Sequence, residues 1–149
     1  MKSQRGSAAI EMAVMLPVIL LILLGIAQFG WLLVNFLAVS NAASSAARTF
    51  AAQRGTTTPY TTTLSQAVAA ASFLNPSGIT ISTTVNGVAC TNDAGCATDL
   101  APASSAAVDV PVKVSVIYSG FHPVVPGNYL NLNTMMPSLV AATVTARVQ

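Results

Sequence analysis

Glu11 is the only carboxylate before Asp93, and it stands where a long apolar segment opens. From Met12 to Val39 that segment is interrupted by Gln28 and Asn35, and no charge returns until Arg48. A carboxylate is costly to place in hydrocarbon, so an acid at such a position is read first as functional, and a cationic partner is sought for it. Cutting the peptide bond between Gly6 and Ser7 would supply one. The new α-amino group at Ser7 would lie four residues before Glu11, on the same helical face, or face the Glu11 of a neighbouring subunit. The other reading of Glu11 is an acid that snorkels to the cytoplasmic interface of an ordinary single-pass anchor.

These residues must be held by a helix. The apolar segment exceeds both the h-region of a secretory signal and the ~20 residues that span a bilayer, so it reads as an anchor. Ordinary signal-peptidase cleavage near Ser40-Asn41-Ala42 stays open as an alternative. Lys2 and Arg5 precede the span, which puts the N-terminus in the cytoplasm and the rest of the chain outside. Strong helix formers continue from Ala42 to Gln53, and Arg54-Gly55 has the form of a helix stop. One continuous helix is therefore expected from about Ser7 to Gln53. On it Gln28, Asn35 and Ala42 recur every seven residues, with Ala46 continuing the stripe of polar and small side chains that marks helix contacts in membranes. Gln28 and Asn35 are also compatible with a place near the outer interface beside Trp31. Pro17 removes one backbone hydrogen bond and invites a kink or local unwinding.

The 149 residues leave room for one small domain beyond the anchor. Charged residues make up only 7% and the formal net charge is +2, so no basic patch or acidic tail is present to recruit nucleic acid or an acidic substrate. Thr56 to Thr62 reads as a loop, followed by a capping-box spacing at Thr63 and Gln66 and a short helix ending at Asn75-Pro76-Ser77-Gly78. Three runs then alternate with period two: Ile79 to Val85, Val108 to Tyr118, and Val140 to Val148. They predict an antiparallel sheet of about three strands with one polar face, in an α+β domain. Pro111 must lie at a strand start or on an edge, while Ala97 to Ala107 and Gly120 to Pro137 read as loops. Cys90 and Cys96 are the only cysteines. They flank a turn-rich stretch outside the cytoplasm, which predicts a local disulfide.

Little here resembles catalytic machinery. His122, the only histidine, stands in Gly120-Phe121-His122-Pro123 with no acid, cysteine or serine motif around it and reads as a surface loop residue. Two cysteines and one distant histidine do not make a zinc site, Asp93, Asp99 and Asp109 lack the pattern of a calcium loop, and no phosphate-binding glycine loop occurs. The expectation is a non-enzyme with no cofactor, no metal, no nucleic acid and no small-molecule substrate.

The N-terminal third resembles the TadE-like minor pilins, or pseudopilins, of the tight-adherence (Tad) pilus, a relative of type IV pili. The residues that carry this run from Arg5-Gly6-Ser7-Ala8-Ala9-Ile10-Glu11 through Leu16-Pro17, Gly25-Ile26-Ala27-Gln28-Phe29-Gly30 and Asn41-Ala42-Ala43 to Ala46-Ala47-Arg48. The resemblance implies a prepilin peptidase that cuts between Gly6 and Ser7, with Glu11 as the acid at mature position five. Met12 stands where such substrates usually carry Tyr or Phe. It also implies other pilin and pilus-assembly subunits and the inner membrane as partners, and a role in adhesion; a TadE and a TadF type are both open. The expected layout is a cytoplasmic leader at 1–6, a helix at 7–54 that crosses the inner membrane at about 12–34 and extends into the periplasm at 35–54, and a small periplasmic or extracellular domain at 55–149. The alternative is a membrane-anchored periplasmic binding module that never enters a pilus.

Overall fold

The structure, a computed structural model, describes residues 4–101, 110–124 and 136–148, with side chains from Ala9 onward. Helix α1 (Gln4–Ala51) runs 48 residues, about 70 Å at 1.5 Å per residue. Pro17 lies inside it and the helix continues through without unwinding, since one missing backbone bond is a small loss in a ladder this long. The helix ends at Ala51, short of Arg54-Gly55. Gly55 instead serves the following turn, where the Thr56 amide donates to the Gln53 carbonyl and Gly55 takes a φ of +79°.

Helix α2 (Pro59–Ala70) then runs back along α1. Its start corrects the expectation of a threonine-rich loop capped at Thr63. Pro59 occupies the first turn, where its missing N–H costs nothing and its φ is already helical. Thr63 is buried within the helix and donates its hydroxyl to the Pro59 carbonyl at 2.7 Å. This bond to the preceding turn satisfies the hydroxyl internally, and so Thr63 caps nothing. Gln66 reaches across to Ser45 of α1 at 3.0 Å.

After a 3-10 turn at Pro76–Gly78, strands β1 (Ile79–Val85) and β2 (Val88–Cys90) form a hairpin. Helix α3 (Asp93–Leu100) follows, and β3 (Pro111–Tyr118) and β4 (Val140–Arg147) complete an antiparallel sheet in the order β2-β1-β3-β4. The α+β class holds, with four strands rather than about three. The added strand β2 is short and hangs on Asn86-Gly87, whose φ values of +49° and +84° are those of a tight hairpin turn. Helix α3 replaces part of the loop expected after Gly95. The Asn92 side chain accepts from the Gly95 amide at 2.7 Å and caps its first turn. Pro111 is the first residue of β3, where no ladder donor is lost on its account. Val108, Asp109 and much of the two expected long loops fall outside the described residues.

Register puts one apolar face inward. Ile81 pairs with Val116, Thr83 with Val114, Val114 with Val144, and Val116 with Ala142. Val112, Val114 and Val116 are fully buried, together with Ala42, Ala43, Ala46, Ala47 and Phe50 of α1. The core therefore lies between the sheet and the second half of α1, with α2 alongside. Ser82, Thr84, Lys113, Thr143, Thr145 and Arg147 alternate onto the other face. Cys90 and Cys96 are joined across a Cα–Cα distance of 5.1 Å. Thr83, on the inner face beside this bridge, donates its hydroxyl to the Cys90 carbonyl at 2.6 Å.

Candidate functional site: the bare and the covered halves of the long helix

The first half of α1 is bare and the second is clothed. From Ile10 to Leu24 every large apolar side chain is exposed, with Ile10 at 69% and Leu24 at 43%. The stretch 9–51 is the one helix among the described residues long and apolar enough to cross a membrane. Glu11 lies on this bare part. The backbone of Gly6 and Ser7 lies inside the helix, one turn before Glu11. Pro17 is exposed as well.

The stripe of Gln28, Asn35 and Ala42 is buried, and what covers it is the chain's own head. Gln28 is 3% exposed, Asn35 2% and Ala42 0%; Ala46 is fully buried too. For Asn35 and the alanines the reason that burial is tolerated is local. Asn35 donates its amide to the Trp31 carbonyl at 2.8 Å, one turn back. The alanines let the helix approach β3, β4 and α2 closely, and Ser45 is engaged by Gln66. The lowest described tie between helix and head is at Trp31, whose indole N–H donates to the His122 carbonyl at 3.1 Å. That link gives His122 a place in the architecture through its backbone, with its side chain exposed. Nothing in the sequence pattern announced it, because its partners are 91 residues apart.

An ionisable side chain links two helices of the head. Asp93, in the first turn of α3, accepts from the Thr61 backbone amide at 2.9 Å and from the Thr61 hydroxyl. Those bonds, the hydroxyl's foremost, hold its carboxyl below the ordinary value of 3.8. They tie α3 to the start of α2, which is a structural task. Among the described residues no group of three or more His, Cys, Asp or Glu side chains is placed to hold a metal ion.

A long helix, bare and apolar over its first half and packed into a small α+β head over its second, defines a helix-and-head protein compatible with membrane anchoring. The family model for TadE-like proteins matches residues 6–48, from the Gly6-Ser7 bond through Glu11 and the buried stripe to Arg48. Over that segment, less than a third of its length, the chain is similar to TadE-like proteins. The match ends where the head's own residues begin. No curated protein and no solved structure matches the chain.

Proposed function

We propose that this chain is a minor pilin or pseudopilin, a structural or assembly subunit of a Tad pilus used in adhesion. Its N-terminus lies in the cytoplasm and its head in the periplasm until the subunit is taken up into the pilus. A prepilin peptidase removes residues 1–6 by cutting after Gly6, and the mature helix then begins at Ser7. The observation that carries this reading is Glu11: a carboxylate on the bare apolar half of α1, one turn past the Gly6-Ser7 bond, within the TadE-like segment. Its role is to pair with the α-amino group of Ser7, its own or a neighbour's, and so to set register between subunits. The bare surface that includes Pro17 is what neighbouring helices meet, while Gln28, Asn35 and Ala42 form the seam between helix and head. Other pilus subunits and the inner membrane are the partners.

The test is Glu11→Ala in the native host. The variant is expected to insert and be processed as the parent is, yet to be missing from sheared pili. Normal incorporation of Glu11→Ala would sink the proposed role. The second reading, an anchored binding module outside any pilus, draws some support from the burial of the helix stripe under the chain's own head. It requires an uncleaved N-terminus and tolerates replacement of residues 10–27 by an unrelated span.

A further inference from the structure

Among the described residues, the charges of the head are gathered at one end of it. In the β3–β4 pair, Pro111 faces Arg147 at one end and Tyr118 faces Val140 at the other. Arg147 and Lys113 belong to the first end. So do Arg48 and Arg54 near the top of α1, and Asp93 and Asp99 on α3, which packs beside the β1–β2 hairpin. At the opposite end, where Val140 meets α1, no described residue carries a formal charge. Exposed apolar side chains gather there instead. Outside α1 the large exposed ones among the described residues are Phe73, Val88, Val124 and Leu139, and all but Val88 lie at this lower end.

The same end carries an apolar cleft of about 550 Å³ between α1 and the start of β4, lined by Phe29, Leu33, Phe36, Pro137 and Leu139 among others. Its α1 wall is continuous with the bare anchor: Phe29 is 66% exposed, Leu33 56% and Phe36 47%. Past Glu11, from Met12 to Phe36, that face is apolar over about 36 Å at 1.5 Å per residue, against a hydrocarbon thickness of about 30 Å. On the opposite face the head already covers the helix from Gln28 upward. The excess apolar length thus runs alongside the uncharged end of the head, at the level of Trp31, whose ring is of the kind that favours the membrane interface.

We propose that the lower end of the head is a lipid-contacting surface. The cleft beside Phe29 and Phe36 takes an acyl chain of the outer leaflet, and Phe73, Val124 and Leu139 rest in the bilayer interface. The subunit in the membrane then sits with its head partly sunk, and lipid must leave the cleft before neighbouring subunits can approach this face. The inference rests on α1 being a membrane anchor.

The experiment uses the full chain with its disulfide intact, one copy per lipid nanodisc, with a nitroxide attached at Leu139→Cys and, separately, at Val88→Cys on the charged end. The label at 139 is expected to collide more often with dissolved oxygen than with a water-soluble nickel chelate, and the label at 88 to do the reverse. Trp31, the only tryptophan, is expected to lose at least half its emission to lipids brominated near the top of the acyl chain. If Leu139→Cys does not fold, Phe73→Cys takes its place with the same expectation. A label at 139 as open to the nickel chelate as the one at 88, with Trp31 still quenched by lipid, overturns the proposal and leaves the anchor standing. Release of the unmodified chain by alkaline wash, with Trp31 unquenched, would remove the anchor and the proposal together. A label at 139 shielded from both reagents would put protein in place of lipid in the cleft and overturn the proposal too.

Discussion

Phe50 is the largest fully buried side chain among the described residues and stands in the last turn of α1, where the helix is held by the sheet and α2. Replacing it with alanine takes a ring out of a site with 0% exposure. The lost transfer free energy, for roughly 100 Å² of apolar surface at about 25 cal/mol per Å², is about 2.5 kcal/mol. A residual cavity adds to it, so the whole change falls in the range of about 3–5 kcal/mol seen for buried Phe→Ala substitutions. Against a total stability of about 5–15 kcal/mol, that is a large share. With a urea dependence of about 1–3 kcal/mol per molar, the unfolding midpoint of the head is expected to fall by at least about 1 M. The assay is urea unfolding of the full chain in nanodiscs, followed by Trp31 emission and by protease sensitivity of the head. Phe73→Ala, which truncates a side chain 56% exposed, is expected to stay within about 0.5 kcal/mol of the parent. A Phe50→Ala midpoint equal to the parent's, or a Phe73→Ala loss as large, would refute the placement of the core on the upper half of α1.

Further outcomes follow from the head's local contacts. Replacing Cys90 and Cys96 together with serine opens a bridge that spans six residues of sequence, and chain entropy for so short a loop puts the cost at about 2 kcal/mol in thermal unfolding. Because the Asp93 carboxyl is held below its ordinary 3.8 by the Thr61 hydroxyl and amide, its contribution is present above that value and is lost as pH falls through the lowered folded value. Asp93→Asn should therefore flatten the acid limb of the stability curve without changing its shape near neutral pH. Gly87→Ala, at a φ of +84°, is expected to cost about 1–2 kcal/mol in the same unfolding assay, since only glycine enters that region freely.

The long helix was legible because an apolar run of this length leaves few alternatives, and β1, β3 and β4 were legible because their period-two alternation spans seven or eight residues each. Shorter elements lacked that length. Strand β2 has three residues and its signal is the Asn86-Gly87 pair alone, which a search for alternation passes over. Helix α3 has eight residues and is marked by the Asn92 cap and little periodicity. Thr63 shows how a capping signature misleads: the same hydroxyl that caps a helix from outside can bond to the preceding turn from within. The stripe of Gln28, Asn35 and Ala42 could be read as a contact face, but periodicity names a face and not its occupant. That the chain's own head lies on it follows from pairings distant in sequence, such as Trp31 with His122, which no local pattern encodes.

Entry of this chain into a pilin pathway, as proposed, is tested most directly by the intact mass and N-terminal sequence of the protein extracted from native membranes with and without the prepilin peptidase. A chain beginning at Ser7 only when the peptidase is present is the expected result. A chain that begins at Met1 in both, or after Ala42, would contradict it.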